Sequence, residues 1–227
     1  MKLTIIIPAY NEEKTITEVI KGVPKKIKGV SVIDVIVVDD GSIDETVKVA
    51  KKTGATVLSH AINQGVGAAT ITGLEAAKKI DADMVITLDA DGQHDPKEIS
   101  KIIDLIISKK FDVVLGTRIM SRKEMPLIKI VGNYIMNWLT YVLYEIWVKD
   151  SQSGFKGFSR KAISKMKLSS SGYEICSEIV GEIKRLKLKY FEMPIKTIYT
   201  TYSKKRGQYP LNAVNIIIRL ITRSIIK

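Results

Sequence analysis

The sequence has little cysteine, no long apolar run and no enrichment in glycine or proline. Its 227 residues contain a single cysteine, Cys176, which excludes an internal disulfide framework and indicates a reducing compartment. No stretch reaches the ~18 uncharged apolar residues that a membrane-spanning helix needs. The first residues show no signal-peptide pattern, so we expect no cleaved leader. These absences predict a folded protein that is soluble or rests on a membrane surface.

Arginine is missing from the first 117 residues, and this marks an uneven distribution of charge. Residues 1–117 contain 15 Lys and 17 Asp or Glu, a net charge of −2. Residues 118–227 contain 14 Lys, 7 Arg and 7 acids, a net charge of +14. The basic half favours a polyanionic partner, which would be a nucleic acid, an anionic membrane or a phosphorylated substrate.

Short β-branched segments alternate with helical patterns along the first half of the chain. The segments are almost wholly apolar, as expected for strands that are buried on both faces. The alternation predicts an α/β fold in which helices cover both faces of a parallel sheet, with right-handed crossovers, in one domain. The predicted strands are Leu3–Pro8, Val32–Val38, Ala55–Ser59, Met84–Leu88 and Asp112–Gly116, and the predicted helices are Glu13–Ile27, Ile43–Lys52, Gly67–Ile80 and Asp95–Lys109.

Two of these helices have recognisable start signals. Ser42 and Glu45 have the spacing of a capping box, in which each side chain bonds the other's backbone. Asp95 is followed by Pro96 and an acidic residue, which is typical of a capped first turn. Both signals predict helices that begin directly after a strand.

Two later segments are predicted amphipathic helices, Pro126–Val148 and Leu211–Lys227. In the first, polar residues recur every fourth position beside a wide apolar face that includes Trp138 and Trp147. That polar stripe consists of Lys129, Asn133, Asn137, Tyr141 and Glu145. Packing on the sheet and lying in a membrane interface are both compatible with the pattern. The basic charge favours the interface.

Polar and acidic residues follow three of the predicted strands. They lie in the segments Tyr10–Glu12, Asp39–Ser42 and Asp89–Gln93. In an open parallel sheet, ligands bind outside the carboxyl ends of the strands. These residues are therefore expected to meet at one edge, although each of them singly could cap a helix or shape a turn.

The triplet Asp89-Ala90-Asp91 is the sharpest local signal. Two carboxylates around one small residue can hold a divalent metal, and Gln93 adds a neutral oxygen. Oxygen ligands in such small number indicate Mg²⁺ or Mn²⁺, with substrate phosphates completing the coordination. Zinc is not expected, because the cysteine and the two histidines, His60 and His94, lack ligand spacing.

Five segments, in order, resemble glycosyltransferase family 2, and within it the polyprenyl-phosphate sugar synthases such as the dolichyl-phosphate mannose synthases. The segments are Ile7–Glu12, Val37–Ser42, Asn63–Ala68, Leu88–His94 and Asp150–Phe155. The resemblance covers essentially the whole chain. It implies the GT-A fold, a mostly parallel Rossmann-like sheet, here followed by carboxyl-terminal amphipathic helices. It divides the single domain 1–227 into a nucleotide-sugar-binding half, 1–117, and an acceptor- and membrane-facing half, 118–227.

The resemblance also assigns roles to particular residues. It implies that the metal is held by Asp89, Asp91 and Gln93. Asp91 and Arg118 are predicted catalytic residues, and Asp150 is the candidate catalytic base, with the orientation of a loop or of Gln152 as its alternative role. The residues implied in nucleotide-sugar binding are Pro8, Tyr10, Glu12, Asp39, Asp40, Asn63, Gly65, Asp89, Ala90 and Asp91. The residues implied in contacting an acceptor phosphate are Arg118, Lys204, Lys205 and Arg206.

The predicted reaction is an inverting, metal-dependent transfer of a hexose from a GDP-mannose or UDP-glucose type donor to a polyprenyl phosphate. The enzyme is expected to be cytoplasmic and peripheral on the inner face of the membrane. A hydroxyl acceptor on a glycan or lipid remains the alternative, and it would require Asp150 as a general base.

Two further classes are compatible with the basic charge: a non-catalytic nucleotide-sugar-binding protein at the membrane and a nucleic-acid binder. The acidic strand ends argue against the first, and the absence of a basic-aromatic or helix-turn-helix pattern argues against the second. Gly65-Val66-Gly67 resembles the start of a dinucleotide fingerprint, but Thr70 occupies the place of its third glycine.

Overall fold

The fold is taken from a computed structural model, which describes residues 1–118 and 127–198. The strands of this part of the chain are β1 (Lys2–Ala9), β2 (Val32–Asp39), β3 (Thr56–Ser59), β4 (Met84–Thr87), β5 (Val113–Arg118), β6 (Lys156–Ser159) and β7 (Tyr190–Ile195). Its helices are α1 (Ile16–Gly22), α2 (Thr46–Lys52), α3 (Val66–Lys79), α4 (Ile99–Lys109), α5 (Leu127–Tyr144), α6 (Arg160–Lys165) and α7 (Ile175–Arg185). A 3-10 turn at Pro96–Glu98 leads into α4.

The strands form one sheet in the order β3-β2-β1-β4-β6-β5-β7. Neighbours pair in parallel except β6, which runs antiparallel to both β4 and β5. The predicted mostly parallel α/β fold is confirmed. The reversed strand has a direct consequence for the site, because its amino end lies where β4 ends, with Thr87 opposite Lys156.

Apolar side chains on the two faces of the sheet form two separate cores. In β1, Leu3, Ile5 and Ile7 are buried in one core, and Ile6 is buried in the other. This explains the nearly continuous apolar sequence of the strand, because both faces are removed from water. The rigid sheet holds the loops at its carboxyl edge.

Two helix boundaries differ from the sequence prediction, and one is confirmed. Helix α1 ends at Gly22 rather than Ile27, because Val23 precedes a proline and takes an extended conformation. The predicted capping box at Ser42 is wrong: helix α2 begins at Thr46 without a side-chain cap. The Asp95 cap is confirmed, since its carboxylate accepts a hydrogen bond from the Lys97 amide at 3.0 Å.

The elements β6, α6, α7 and β7 have no counterpart among the predicted elements. Strand β6 has only four residues and contains the buried Lys156, so it lacks an apolar run. Helix α7 carries Glu174 at its N-cap and Glu178 and Glu182 within it, and all three are buried. The buried side of this helix therefore has no continuous apolar pattern from which it could be predicted.

Helix α5 confirms most of the predicted segment 126–148 but reverses part of its pattern. Asn137, from the predicted polar stripe, is 4% exposed, whereas Trp138 is 55% exposed. Tyr141, also from the stripe, lies on the exposed side with Trp138. Among residues 1–118 and 127–198, no helix combines the length and the apolar character needed to cross a bilayer. The predicted helix 211–227 lies outside the described residues.

Candidate active site

The predicted site residues that the structure describes lie along the carboxyl edge of the sheet. Segments after β1, β2 and β4 reach this edge together with Arg118, the last residue of β5. The segment before β6 reaches the same edge because that strand is reversed. Because β6 is antiparallel, residues 150–155 lie at the carboxyl edge; in a purely parallel sheet the residues before a strand would lie at the opposite edge.

The loops after β1 and β2 hold each other in place. The Asn11 amide donates to Ser42 Oγ at 2.8 Å, and Asn11 Oδ1 accepts from the Ile43 amide at 2.9 Å. Asn11 has a positive φ of 54°, a conformation that asparagine tolerates better than most residues. This reciprocal pair explains why Ser42 does not cap a helix.

The predicted nucleotide-binding residues of these two loops differ in exposure and in hydrogen bonding. Tyr10 is 41% exposed, and Pro8 is half-buried in β1. Glu12 is buried, and its carboxylate accepts a hydrogen bond from the Thr15 hydroxyl at 2.8 Å. Asp39 is buried with Oδ2 accepting from the Ser42 amide at 3.3 Å, while its Oδ1 has no hydrogen-bond partner among the described residues. A buried acceptor without a partner is costly unless a ligand supplies a donor.

Asp40 uses both carboxylate oxygens to hold the loop before α3. Its Oδ1 contacts His60 Nδ1 at 2.7 Å and accepts from the Gln64 amide at 2.9 Å. Its Oδ2 accepts from the Gly65 amide at 2.7 Å, and His60 Nε2 reaches Thr72 on α3 at 3.0 Å. The structure therefore shows Asp40 shaping this loop, and its contact with the nucleotide stays a prediction.

The glycines of the predicted Asn63–Ala68 motif lie against another backbone segment. A Cβ at Gly65 would lie 2.4 Å from the Ser171 carbonyl oxygen, and one at Gly67 would lie 2.2 Å from that of Ser170. Gly65 also has a φ of 102°. The close approach of the loop at 170–172 thus accounts for both glycines, while Asn63 is exposed at the surface.

A buried carboxylate on α7 fixes that loop. Glu178 accepts hydrogen bonds from the Ser169 amide, at 3.1 Å, and the Ser170 amide, at 2.9 Å. Tyr173 follows the loop, and burial and the charges of Asp89 and other acids raise its pKa to about 12. Tyr173 is 37% exposed, so its neutral hydroxyl can meet a ligand.

Asp89 and Asp91 lie together directly after β4, and Ala90 between them is buried. Burial raises the pKa of Asp89, against the opposing charges of Lys156 and Arg118. Burial and the charge of Asp89 raise the pKa of Asp91. The Gln93 amide donates to Asp91 Oδ1 at 3.0 Å, and the Gln93 side chain also bonds Asp91.

These residues fit a divalent cation. Two crowded carboxylates of raised pKa would be relieved by a positive charge, and Gln93 supplies an amide oxygen. No group of three or more His, Cys, Asp or Glu side chains in the described ranges could hold a metal by itself. Two carboxylates together with substrate phosphates is the arrangement that Mg²⁺ commonly uses.

Two buried residues below the acidic pair were not among the predicted site residues. His94 stacks on Phe155 with ring centroids 5.3 Å apart, and its Nδ1 lies 3.6 Å from Asp89 Oδ2. Burial lowers the pKa of His94 to about 4, so the ring is neutral at pH 7. Lys156 is 1% exposed and donates to the Ser153 carbonyl. Lys156 directly follows the resembling segment Asp150–Phe155, which was the one available signal, because a lysine is otherwise expected to be exposed.

Arg118 and Asp150 form a two-pronged ion pair at the same edge. Arg118 Nε donates to Asp150 Oδ2 at 2.7 Å, and a terminal nitrogen donates to Oδ1 at 2.8 Å. The Arg118 amide adds a third bond to Oδ2 at 3.1 Å. Burial alone would raise the pKa of Asp150, but the charge and hydrogen bonds of Arg118 outweigh it and hold that pKa below its usual value.

Gly154 sits against Asp89, and the sequence did not single it out as a site residue. A Cβ at this position would lie 2.0 Å from Asp89 Oδ1, so only glycine fits. The Gly154 carbonyl accepts a hydrogen bond from the Thr87 hydroxyl at 2.6 Å. Lys204, Lys205 and Arg206 lie outside the described residues. The described chain does reach the edge shortly before them, since the Ile198 amide donates to the Gln93 carbonyl at 2.8 Å.

Comparison with known proteins identifies the family. The model of glycosyl transferase family 2 matches residues 4–167. The UDP-N-acetylglucosamine–dolichyl-phosphate N-acetylglucosaminyltransferase of Methanococcus voltae is 41% identical over 239 residues, covering 96% of this chain and 94% of that protein. The dolichol-phosphate mannosyltransferase of Pyrococcus furiosus is 27% identical over 235 residues, covering 95% of this chain and 61% of that protein.

The fold is shared with a solved enzyme structure. Glucosyl-3-phosphoglycerate synthase from Mycobacterium tuberculosis, in complex with Mn²⁺, UDP-glucose and phosphoglyceric acid, superposes with a TM-score of 0.74 and 22% identity. The match covers 98% of this chain and 79% of that one. With the family match over residues 4–167, it follows that this chain belongs to glycosyltransferase family 2 and is a glycosyltransferase of the GT-A fold.

Proposed function

We propose that this glycosyltransferase transfers one sugar, with inversion, from a nucleotide sugar to a polyprenyl (dolichyl) phosphate at a membrane surface. The observation that carries the proposal is the pairing of Arg118 with Asp150 beside the acidic triplet. A phosphate acceptor is already a nucleophilic anion, so it needs a cation to position it and no base to deprotonate it. Arginine is suited to this role because its fork can grip a phosphate by two bonds.

The state of Asp150 argues against a hydroxyl acceptor. A general base needs a pKa near the working pH and an oxygen that can reach the substrate proton. Asp150 is 1% exposed, its two oxygens accept three bonds from Arg118, and its pKa is lowered. These features support a carboxylate that orients Arg118 rather than one that accepts a proton.

The donor is proposed to lie between the β1 and β2 loops and the acidic triplet. The unpartnered Oδ1 of Asp39 would accept an N–H of the nucleobase, and Tyr10 would cover the base. Asp89, Asp91 and Gln93 would hold Mg²⁺ or Mn²⁺ against the diphosphate. When bound, the metal supplies Lewis-acid stabilisation of the departing nucleoside diphosphate.

The names of two relatives guide the choice of donors to be tested. The Methanococcus voltae relative is named for UDP-N-acetylglucosamine, and the Pyrococcus furiosus relative for mannose transfer. A panel should therefore contain UDP-N-acetylglucosamine, UDP-glucose and GDP-mannose. The first is the one that we expect to be used, because that relative is 41% identical across almost the whole chain.

Two features support a membrane surface as the place of reaction, on the cytoplasmic face. Helix α5 exposes aromatic and aliphatic side chains, among them Tyr134 at 64% and Trp138 at 55%. Residues 118–227 carry a net charge of +14, which attracts anionic lipid. Lys204, Lys205 and Arg206 follow Ile198 by six to eight residues, and we propose that they contact the acceptor phosphate.

The test compares two lipids that differ only in the phosphate. The protein is incubated with Mn²⁺, the donor panel and either a polyprenyl phosphate or the matching polyprenol, and the products are identified by mass. We expect a glycolipid from the phosphate alone, with inverted anomeric configuration by NMR. Transfer to the polyprenol, blocked by Asp150→Asn, would replace the proposal with a hydroxyl-acceptor enzyme.

A further inference from the structure

Helix α5 presents two unlike faces. Its outer face is apolar and exposed over about three turns, and its inner face carries polar side chains that are buried. The outer residues are Val131, Tyr134, Ile135, Trp138, Tyr141 and Val142, each at least 45% exposed. On the inner face, Asn137 is 4% exposed and Thr140 is fully buried. An inward asparagine on a helix with an apolar outer face requires an explanation, because burying an amide is costly unless all its bonds are made.

Asn137 makes its bonds to the two residues that flank Asp150. Its Nδ2 donates to the Lys149 carbonyl at 2.7 Å. Its Oδ1 accepts from the Ser151 amide at 2.9 Å and from the Ser151 hydroxyl at 2.8 Å. One side chain of α5 therefore fixes the backbone immediately before and immediately after Asp150.

A second set of polar contacts fixes the same turn to α7. The Thr140 hydroxyl donates its one proton to the Met136 carbonyl at 2.7 Å. It therefore accepts from the Ser177 hydroxyl, which lies 2.8 Å away. Gln152 Nε2 donates to the hydroxyls of Ser177, at 3.2 Å, and Ser151, at 3.0 Å. The turn at 149–152 is thus joined to both helices by buried hydrogen bonds, which hold a single geometry better than apolar contacts do.

The contacts continue from this turn to the proposed acceptor site. Asp150 accepts three hydrogen bonds from Arg118. The path from the exposed face of α5 to the Arg118 guanidinium therefore passes through Asn137 and the backbone around Asp150. Each step is a hydrogen bond of 3.1 Å or less.

We propose that Asn137 is a positioning residue that couples the outer face of α5 to Arg118, so that seating α5 on a lipid surface orders the Asp150–Arg118 pair for the acceptor phosphate. The inference rests on the proposed function and adds a link between the surface and the site. A surface can shift the site only if it binds one arrangement of α5 more tightly than another. Asn137 supplies a fixed connection through which such a preference acts on Arg118.

The two tryptophans provide a measurement of seating that is independent of catalysis. The chain contains only Trp138 and Trp147, and both are about half exposed, on or just after α5. Quenching of their fluorescence by anionic vesicles of brominated phospholipid therefore reports contact of this surface with lipid. Hydrogen exchange of the peptide 148–155 reports the order of the turn that carries Asp150.

The experiment compares the wild type with Asn137→Ala and the matched control Asn133→Ala, which changes the same residue type one turn earlier on α5. Activity is measured on a short, water-soluble isoprenyl phosphate with and without empty anionic vesicles. For the wild type and the control, we expect vesicles to lower the acceptor KM and to slow exchange in 148–155. For Asn137→Ala, we expect a tenfold to hundredfold higher acceptor KM that vesicles do not lower, with donor binding and quenching unchanged.

A milder variant covers the case in which Asn137→Ala does not fold. Ser151→Ala removes one of the three bonds to Asn137 and keeps both backbone bonds, so we expect a smaller change in the same direction. Quenching without any vesicle effect on wild-type KM or exchange would overturn the coupling alone, as would a normal response by Asn137→Ala. Absence of transfer by the wild type, with donor binding and quenching intact, would overturn the proposed function as well.

Discussion

Replacing Gly154 by alanine would disturb the acidic pair through a single methyl group. The added Cβ would lie 2.0 Å from Asp89 Oδ1 and 2.6 Å from Asp89 Cγ. Contacts of a Cβ below 3.0 Å are essentially never found, so either the carboxylate or the backbone must move by about 1 Å. The Asp89 side chain is 40% exposed, so turning it toward solvent is the easier of the two movements.

The expected loss is large for catalysis and small for stability. A displacement of about 1 Å in a positioned group can cost about 100-fold in rate. Overpacking relieved by rotation of one exposed carboxylate should cost at most about 1–3 kcal/mol of folding free energy. For a domain of this size, 1 kcal/mol corresponds to a fall in Tm of about 2–4 °C.

The assay measures kcat, Mn²⁺ binding in the presence of nucleotide, and Tm on the same preparations. Gly132→Ala is the matched control, because a Cβ there meets nothing within 4 Å and the residue lies inside α5. That control should keep wild-type activity, and helix propensity should stabilise it by about 0.5–1 kcal/mol. Normal kcat and normal Mn²⁺ binding in Gly154→Ala would refute the assignment of Asp89 to the metal.

Three further predictions concern the acidic pair, the Arg118–Asp150 pair and the binding to lipid. Asp89→Asn and Asp91→Asn should each abolish turnover yet raise Tm at pH 7. Folding raises the pKa of each carboxyl, so ionised Asp89 and Asp91 lower the stability of the folded state once the pH rises above their unfolded and then their folded pKa. An unchanged kcat in excess chelator would contradict the metal site. Arg118→Ala should raise the acceptor KM about 10- to 150-fold without changing donor binding, and it should destabilise the fold by about 3–5 kcal/mol because buried Asp150 loses its partner. Asp150→Asn should have smaller effects on both quantities. Acceptor titration measures the KM of each variant, and thermal unfolding measures its stability. Binding to anionic vesicles should weaken at high salt without vanishing, since screening removes only the charge attraction, and equal sedimentation with and without vesicles would contradict it.

The acidic residues at the strand ends could be predicted because they lie in short segments that directly follow apolar strands. An apolar strand followed at once by acidic residues places those residues at the carboxyl edge of a parallel sheet, whatever the rest of the chain does. This applies to Asp39 at the end of β2 and to Asp89 after β4. The wrong capping box at Ser42 and the unpredicted loop contacts of Asp40 have the same origin. Their side chains bond residues 24 and 31 positions away, and local spacing does not report such contacts.

The parallel core, the acidic edge and the division of charge could be predicted from the sequence, because hydrophobic periodicity and residue type act over a few neighbouring residues. The surroundings of that edge depend on long-range packing. The reversal of β6 brings Gly154 against Asp89, and the loop held by Glu178 is what requires glycine at position 67. The inward orientation of the Asn137 side chain likewise depends on its partners 12 and 14 residues further along the chain. Such contacts join elements whose relative positions are fixed by packing of the whole sheet, so no local pattern encodes them.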